Sequence, residues 1–186
     1  MNLTEEQKEK LNLYAALVWE KKDLLNLTSV ADKQEIFDRH IADGLEGAKT
    51  ILSLADKEKI TVADLGSGAG YIGITIAVAM PQAQVTLVES SERRCKFLNW
   101  VILKLNLKNV TVKQERAGER KLTEEEKYDF VTERAMGKIE DILPLCLGYK
   151  KENGFFMAYQ SGITLAGRRT AAYKLKDDKE RNLVVF

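Results

Sequence analysis

The fold of this 186-residue chain is indicated most clearly by residues 64–73, Asp64-Leu65-Gly66-Ser67-Gly68-Ala69-Gly70-Tyr71-Ile72-Gly73. This stretch follows an apolar segment, residues 60–65, that is typical of a strand, and it opens a helical pattern that runs to about residue 80. Glycines let a backbone turn tightly and approach a ligand at van der Waals distance, which a Cβ would prevent. The stretch therefore predicts a strand, a ligand-binding turn and a helix in direct succession.

Beyond this turn, short apolar segments alternate with helical patterns. We predict further strands near residues 84–88, 110–113, 128–132 and 154–159, and helices near 91–105 and 139–147. Such alternation is typical of a mostly parallel sheet with helices on both faces. The sequence therefore predicts an α/β, Rossmann-like fold.

The first part of the chain has a different, helical pattern. Thr4 and Gln7 predict a capping box at a helix start, and Asp32 and Glu35 predict a second one. Apolar residues recur at helical spacing after each of them. We therefore expect a small helical layer that precedes the sheet.

Length and composition exclude several classes of protein. The 186 residues predict a single domain, with the helical layer in residues 1–55 and a cofactor-binding α/β core in residues 56–186. No apolar run approaches the roughly 20 residues of a membrane span, and the polar start MNLTEEQKEK lacks the pattern of a secretory signal. We therefore expect a cytoplasmic protein without a membrane partner.

Two cysteines, Cys95 and Cys146, are too few for a disulfide scaffold or a four-cysteine zinc site, and we expect no metal.

A carboxylate at the end of the second strand indicates a nucleoside ligand. Glu89 occupies that position and can accept both hydroxyl protons of a ribose. The pattern Gly68-x-Gly70-x-x-Gly73 also matches the dinucleotide fingerprint, so spacing alone leaves NAD open. However, Asp64 would disfavour an anionic pyrophosphate, whereas it would favour the ammonium and sulfonium groups of S-adenosyl-L-methionine. We therefore expect S-adenosylmethionine as the cofactor.

The glycine motif with its following acid resembles class I S-adenosylmethionine-dependent methyltransferases. A longer set of segments is similar to the RsmG (GidB) family, in which bacterial enzymes methylate N7 of one guanine in small-subunit (16S) ribosomal RNA. These segments are Asn26-Leu27-Thr28, His40, Asp43, residues 64–70, Arg116-Ala117, Thr132-Glu133-Arg134-Ala135 and Leu183-Val184-Val185. The resemblance runs from about Leu11 to Phe186.

The resemblance implies a role for individual residues. The methionine and ribose portions of the cofactor would contact Asp64, Gly66, Ser67, Gly68, Gly70 and Tyr71, and the ribose hydroxyls would contact Glu89. Ala117 and Gly118 would border the adenine, and Arg134 would face the junction of cofactor and substrate. We assign Arg134, Asn26 and His40 to catalysis. Asn26 could instead cap a helix, His40 could be a packing group, and Arg134 could be a structural ion-pair partner.

The chain departs from the family pattern at four places. Gly44 stands where the family usually has serine, Gly118 where it often has an acid, and Gln160 where lysine is frequent. The segment between Tyr173 and Arg181 is also short. These departures affect the substrate side of the site more than the cofactor side.

The absence of two motifs reduces the number of methyl-transfer reactions that fit this sequence. Enzymes that methylate exocyclic base amines usually carry an Asn/Asp-Pro-Pro-aromatic loop after the fourth strand, where this chain has Thr132-Glu133-Arg134-Ala135. Attack on a pyrimidine carbon needs a cysteine nucleophile, and neither cysteine is suitably placed. Guanine N7 already bears a lone pair, so neither a general base nor a covalent intermediate is required. Arg134 would then orient guanine O6 or a phosphate.

The expected partner is 16S ribosomal RNA in the small subunit or in an assembly intermediate. The net charge is only +1, so RNA contacts would come from two local sets of basic residues. These sets are Arg93, Arg94, Lys96, Lys104 and Lys108, and Arg168, Arg169, Lys174 and Lys176. They could also be ordinary solvated faces. We expect a monomer with weak affinity for naked RNA. A methyltransferase of small molecules or proteins, and a non-catalytic cofactor-binding module, remain the alternatives.

Overall fold

A seven-stranded sheet forms the centre of the molecule, in a computed structural model that describes residues 1–161, 169–175 and 180–186. The strands are β1 (Thr61–Leu65), β2 (Gln84–Glu89), β3 (Val110–Gln114), β4 (Tyr128–Arg134), β5 (Lys150–Ser161), β6 (Arg169–Lys174) and β7 (Glu180–Val185). Their order in the sheet is β3-β2-β1-β4-β5-β7-β6. The first five strands are parallel to one another, whereas β7 is antiparallel to both β5 and β6. The predicted mostly parallel α/β fold is therefore confirmed.

Helices connect most of the strands and precede the first. They are α1 (Glu5–Leu25), α2 (Lys33–Glu35), a π-helix (Ile36–Ile41), α3 (Ala42–Leu54), α4 (Tyr71–Ala79), α5 (Glu92–Lys104), a 3-10 helix (Glu124–Glu126) and α6 (Ile139–Tyr149). The capping box predicted for Thr4 and Gln7 is present. The one predicted for Asp32 and Glu35 is wrong. Asp32 accepts from the backbone N–H of Gln34, while the Glu35 carboxylate forms an ion pair with Arg39.

Two apolar layers cover the sheet. On one face, Val62 of β1 belongs to a core shared with α1, α3, α4 and α5, and on the other face Leu65 packs with residues of α6. In the first layer the Tyr14 hydroxyl donates to the carbonyl of Ala69 at 2.9 Å. The helical layer therefore contacts the glycine turn directly.

The carboxyl-terminal part differs most from expectation. β5 begins at Lys150, four positions before the strand predicted from Gly154, because β5 follows α6 without a connecting loop. The antiparallel pair β6 and β7 completes the edge of the sheet. Two of the predicted basic residues, Arg168 and Lys176, and part of the short segment after Tyr173 lie outside the described residues. No helix within the described ranges is long and apolar enough to cross a membrane.

Candidate active site

The turn after β1 combines close packing with one open position. Gly66, Gly68 and Gly70 have φ angles of +62°, +59° and +86°, a region that side chains other than glycine rarely adopt. A Cβ on Gly66 would lie 2.7 Å from Cγ of Met136, and one on Gly70 would lie 2.7 Å from Cδ2 of Leu98. A Cβ on Gly68 would come no closer than 3.9 Å to a neighbour. The turn is therefore enclosed at both ends and open at its centre.

A cavity of about 210 Å³ lies against this turn. Its lining comprises Leu27, Asp64, Gly66, Ser67, Gly68, Ala69, Tyr71, Ile72, Arg94, Arg134 and Ala135. The carboxyl ends of β1 and β4 border it, which is where open parallel sheets bind ligands. Most of the residues predicted to contact the methionine portion thus lie together.

Asp64 forms the floor of the cavity and ties three elements together. Its side chain is 2% exposed, and it accepts from the Gly73 N–H at 3.1 Å and from the Thr132 hydroxyl at 3.0 Å. Burial raises the pKa of this carboxyl to about 6, although both hydrogen bonds act in the opposite direction. Asp64 therefore fixes the start of α4 against the ends of β1 and β4.

Glu89 lies directly behind the turn. One carboxylate oxygen accepts from the Gly68 N–H at 2.8 Å, and the other accepts from the Ser91 N–H at 2.8 Å. A carboxylate has acceptor positions for about four donors, so these two bonds leave capacity for ribose hydroxyls. Glu89 itself is 4% exposed and does not line the cavity, and its contact with a ribose stays a prediction.

Arg134 extends over the cavity from the end of β4 and is held on several sides. Its Nη1 donates to Oδ2 of Asp43 at 2.9 Å and to Nδ1 of His40 at 3.1 Å. Its guanidinium carbon lies 5.1 Å from the ring centre of Tyr71, on which the His40 ring stacks at 4.2 Å. Three of the predicted site residues, from the helical layer, α4 and β4, therefore form one cluster.

Further contacts fix this cluster from the outside. Asp43 is 3% exposed and also accepts from the Tyr173 hydroxyl at 2.6 Å, and Nε2 of His40 lies 3.1 Å from the Thr28 hydroxyl. The family pattern includes Asp43, although the sequence predicts no role for it. Its spacing of three from His40 was the available signal, whereas nothing in the sequence indicated Tyr173.

Glu133 is a second residue that sequence reasoning did not assign. Its carboxylate is fully buried and accepts from the Met136 N–H at 3.3 Å and from Nε2 of Gln160 at 3.2 Å. Burial raises its pKa to about 7, and the charge of Asp64 acts in the same direction. The next residue but one, Ala135, has a φ of +64°. The turn that follows Arg134 is thus held in an unfavourable conformation by a buried acid.

Some predicted residues lie away from the cavity. Asn26 is exposed and ends α1 in a left-handed conformation, with its N–H bonded to the carbonyl of Lys22. Gly118, with a φ of +90°, donates its N–H to the Tyr149 hydroxyl and lines a separate cavity with it. Ala117 lies beside it, half-buried. The catalytic role of Asn26 and the adenine contacts of Ala117 and Gly118 stay predictions.

A larger cavity, of about 650 Å³, lies at the other end of the strands, near the amino ends of β1 and β4. It surrounds Asp129, whose carboxylate accepts from Lys57, Lys151 and Thr61. Asp129 is near the amino end of β4, so this cavity lies away from the carboxyl ends where such sheets bind ligands. We therefore place the active site at the glycine turn.

Solved structures of methyltransferases share this fold. A SAM dependent methyltransferase from Aquifex aeolicus matches with a TM-score of 0.58 at 16% identity, covering 81% of this chain and 92% of that one. Precorrin-6y C5,15-methyltransferase from Geobacter metallireducens matches with a TM-score of 0.55 at 19% identity, covering 75% and 86%. The left-handed glycines, the open position at Gly68 and the carboxylate behind it fit the same cofactor. The fold is therefore that of the class I S-adenosylmethionine-dependent methyltransferases.

Sequence comparison identifies the family within this class. Residues 7–184 match the family model described as GidB, rRNA small subunit methyltransferase G, and the chain belongs to this family. It is 36% identical over 178 residues to Ribosomal RNA small subunit methyltransferase G of Lachnoclostridium phytofermentans, covering 95% of this chain and 72% of that protein. The protein of the same name from Limosilactobacillus reuteri is 33% identical over an alignment of 205 positions, which covers 100% of this chain and 85% of that protein. The resemblance read from the motifs is therefore confirmed.

Proposed function

We propose that this protein transfers the methyl group of S-adenosylmethionine to N7 of one guanine in small-subunit (16S) ribosomal RNA. The family match carries this proposal, because it spans residues 7–184 and so includes the helical layer as well as the cofactor core. We propose that both parts act as one domain, with residues 1–55 contributing to the substrate side. When bound, the cofactor supplies a methyl group on a positively charged sulfur.

The residues near the cavity suit an acceptor that needs no deprotonation. Guanine N7 carries an in-plane lone pair, so alignment with the methyl carbon and sulfur is the main requirement. The groups that could act as a base are already engaged, because His40 bonds with Arg134 and Thr28, and Asp43 accepts from Arg134 and Tyr173. These contacts support methylation at a ring nitrogen that is already unprotonated.

A cysteine mechanism is disfavoured by the surroundings of both thiols. Cys146 is fully buried beneath the other face of the sheet, and burial raises its thiol pKa to about 12. Cys95 is also buried, and burial raises its thiol pKa. A thiolate is the form that attacks a pyrimidine carbon, so neither residue is suited to that reaction.

Arg134 is the residue that we assign to the acceptor base. A guanidinium group has donors only, so it would bind guanine through the O6 acceptor or through a phosphate, and would leave the N7 lone pair free. Its anchors, His40 and Asp43, would set its position. Of the other basic residues, Arg93 and Lys96 are exposed on α5, where they could contact phosphates in a salt-sensitive way.

The test uses small ribosomal subunits that lack N7-methylguanine, tritiated cofactor, and mapping of the labelled base. One labelled guanine is expected, with little label on a short unstructured RNA, since the chain carries few basic residues to bind naked RNA. Arg134→Ala should slow methylation while cofactor affinity is kept; full activity would exclude its role. Label on a small molecule or a protein would indicate another acceptor class, and cofactor binding without label would indicate a non-catalytic module.

We further propose that the partner is the assembled small subunit or an assembly intermediate, and that the enzyme acts on it as a monomer. A ribosomal substrate would place the enzyme in the bacterial cytoplasm. Sedimentation with and without subunits tests both statements, because a monomeric enzyme should comigrate with the subunit in a one-to-one ratio.

A further inference from the structure

Two arginine side chains line the cavity at the glycine turn, and within the part of the chain that the structure describes only one of them has an ionic partner. Arg134 pairs with Asp43. Arg94, in the first turn of α5, is half-buried and lines the cavity beside the glycine turn. Among the described residues, its guanidinium takes part in no ion pair and no hydrogen bond. Its neighbour Arg93 is exposed and does not line the cavity.

The position of Arg94 is fixed by the packing of α5 on the turn. The hydroxyl of Ser91 caps the helix, and the Ser91 N–H shares the Glu89 carboxylate with the N–H of Gly68. Leu98 lies one helical turn after Arg94 on the same face of α5, and it packs so closely on Gly70 that a Cβ there would be 2.7 Å away. The face of α5 that carries Arg94 therefore rests on the glycine turn.

The other groups of the cavity leave this positive charge unmatched. The carboxylate in the lining is Asp64, which is 2% exposed and already accepts from Gly73 and Thr132. The other lining residues are the turn residues 66–69, Ala135, the cationic Arg134, which is paired with Asp43, and the apolar or aromatic Leu27, Ile72 and Tyr71. A ligand that fits this cavity should therefore bring its own anionic group to Arg94.

S-adenosylmethionine has one anionic group, the α-carboxylate of its methionine portion. We propose that Arg94 binds this carboxylate and so fixes the methionine end of the cofactor at the glycine turn. A planar guanidinium matches a carboxylate with two parallel hydrogen bonds, and such charge-assisted bonds are among the stronger ones in proteins. This assignment deepens the proposed function and rests on it only through the cofactor, whichever acceptor is methylated.

The experiment compares two ligands that differ only in the carboxylate. Dissociation constants are measured by calorimetry for S-adenosylhomocysteine and for its decarboxylated analogue, with no RNA present. Arg94→Met should weaken the affinity for S-adenosylhomocysteine by about 10- to 100-fold, which is the range expected for the loss of hydrogen bonds to a charged group. It should change binding of the analogue less than about twofold, because that ligand has no group for Arg94 to hold.

Two further variants control for folding and for general charge. Arg93→Met removes an exposed charge from the same helical turn and should leave both affinities unchanged. Arg94→Lys keeps the charge without the planar fork and should restore part of the affinity for S-adenosylhomocysteine. It also provides the measurement if Arg94→Met does not fold.

Two results would overturn the proposal. An equal loss for both ligands would mean that Arg94 only shapes the site. Unchanged affinity for both ligands, with slower methylation of ribosomal subunits, would mean that Arg94 contacts an RNA phosphate instead. Because binding is measured without RNA, failure to label ribosomal RNA would count against the proposed acceptor and not against this contact.

Discussion

Arg134 donates a hydrogen bond to Nδ1 of His40 at 3.1 Å, and this contact fixes the tautomer of the imidazole. A guanidinium has no acceptor, so Nδ1 must be unprotonated and the ring hydrogen must be on Nε2. Nε2 then donates to the hydroxyl of Thr28, which lies 3.1 Å away. His40 is therefore a neutral bridge between the helical layer and the end of β4.

The first prediction concerns the protonation of His40, the single histidine of the chain. Burial, followed by the positive charge of Arg134, lowers its pKa to about 3. Nitrogen NMR of the folded protein should show the neutral Nε2–H form at pH 5. Arg134→Met should raise the pKa of His40 while leaving it below 6.5, because burial remains. A pKa near 6.5 for His40 in the native protein would contradict its assignment as a neutral bridge between Arg134 and Thr28.

The same shift has a consequence for stability. Unfolded His40 binds a proton below pH 6.5 while the folded residue stays neutral, so its contribution to the free energy of unfolding is lost as pH falls from 6.5 towards 3. At pH 5 this loss amounts to about 2 kcal/mol. Urea unfolding at pH 7.5 and at pH 5 should therefore show a smaller acid dependence for His40→Gln than for the native chain.

The second prediction concerns the buried ion pair of the cluster. Asp43→Asn keeps the shape of the side chain but leaves Arg134 without its charge partner, and removal of one member of such a pair costs about 3 kcal/mol. Denaturant unfolding should show this loss, and methylation should slow because Arg134 is no longer fixed. Glu46→Gln, which breaks a pair with the exposed Lys49 in the same helix, is the control and should cost less than about 1 kcal/mol. Equal effects of both variants would exclude a special role of Asp43.

The turn and its acids could be predicted from sequence because each depends on local pattern. Left-handed backbone angles require glycine, and the alternation of strands and helices brings Asp64 and Glu89 to neighbouring strand ends. The cluster around Arg134 could not be predicted from spacing. His40 and Arg134 are 94 residues apart, and Asp43 and Tyr173 are 130 apart. Only the family resemblance connected the first pair.

Glu133 and Arg94 show a different limit of sequence reasoning. Strand alternation puts Glu133 on the face opposite Arg134, among apolar residues, and this signal was available but unused. Arg94 belongs to a basic segment in which sequence does not distinguish it from Arg93. Only the packing of Leu98 on Gly70 determines which of these two arginines lines the cavity.

The third prediction concerns the buried acid Glu133. Its folded pKa of about 7 lies above the ordinary value of 4.5, so its contribution to stability is complete below pH 4.5 and is lost as pH rises through 7. Glu133→Gln cannot ionise and keeps an acceptor for Met136 or Gln160. At pH 8 it should be more stable than the native chain, by up to about 3 kcal/mol, and the advantage should vanish near pH 4.5.

Unfolding by urea across this pH range provides the measurement for Glu133. The charges of Asp64 and Glu133 repel each other, so loss of the Glu133 charge also contributes to the advantage of the variant at pH 8. The Cys146 thiol, with a pKa of about 12, stays protonated at that pH, and Gln160 remains in both proteins. Glu125→Gln, in the exposed 3-10 helix, is the matched control and should show no such gain. A Glu133→Gln variant that is less stable at pH 8 than at pH 5, relative to the native chain, would reverse the sign and refute the assignment.

The last prediction compares two helical glycines. A Cβ on Gly73 in α4 would overlap Cδ2 of Leu87 and lie 3.0 Å from the Asp64 carboxylate, whereas one on Gly148 in α6 would meet nothing within 4 Å. Gly148→Ala should therefore stabilise the protein by about 0.5–1 kcal/mol through helix propensity. Gly73→Ala should destabilise it by about 1–3 kcal/mol, since overpacking outweighs the same gain.

The second readout for the glycine pair is affinity for S-adenosylhomocysteine. Gly73→Ala should weaken binding because it displaces Asp64 from the Gly73 N–H and so shifts the floor of the cavity. Gly148→Ala should change affinity much less, because Gly148 lies at the separate cavity beside Gly118 and not against the glycine turn, and its Cβ would meet nothing within 4 Å. If Gly73→Ala lowered stability but kept full affinity, the bond between Asp64 and Gly73 would serve the fold alone, and Asp64 would not control the cofactor site through α4.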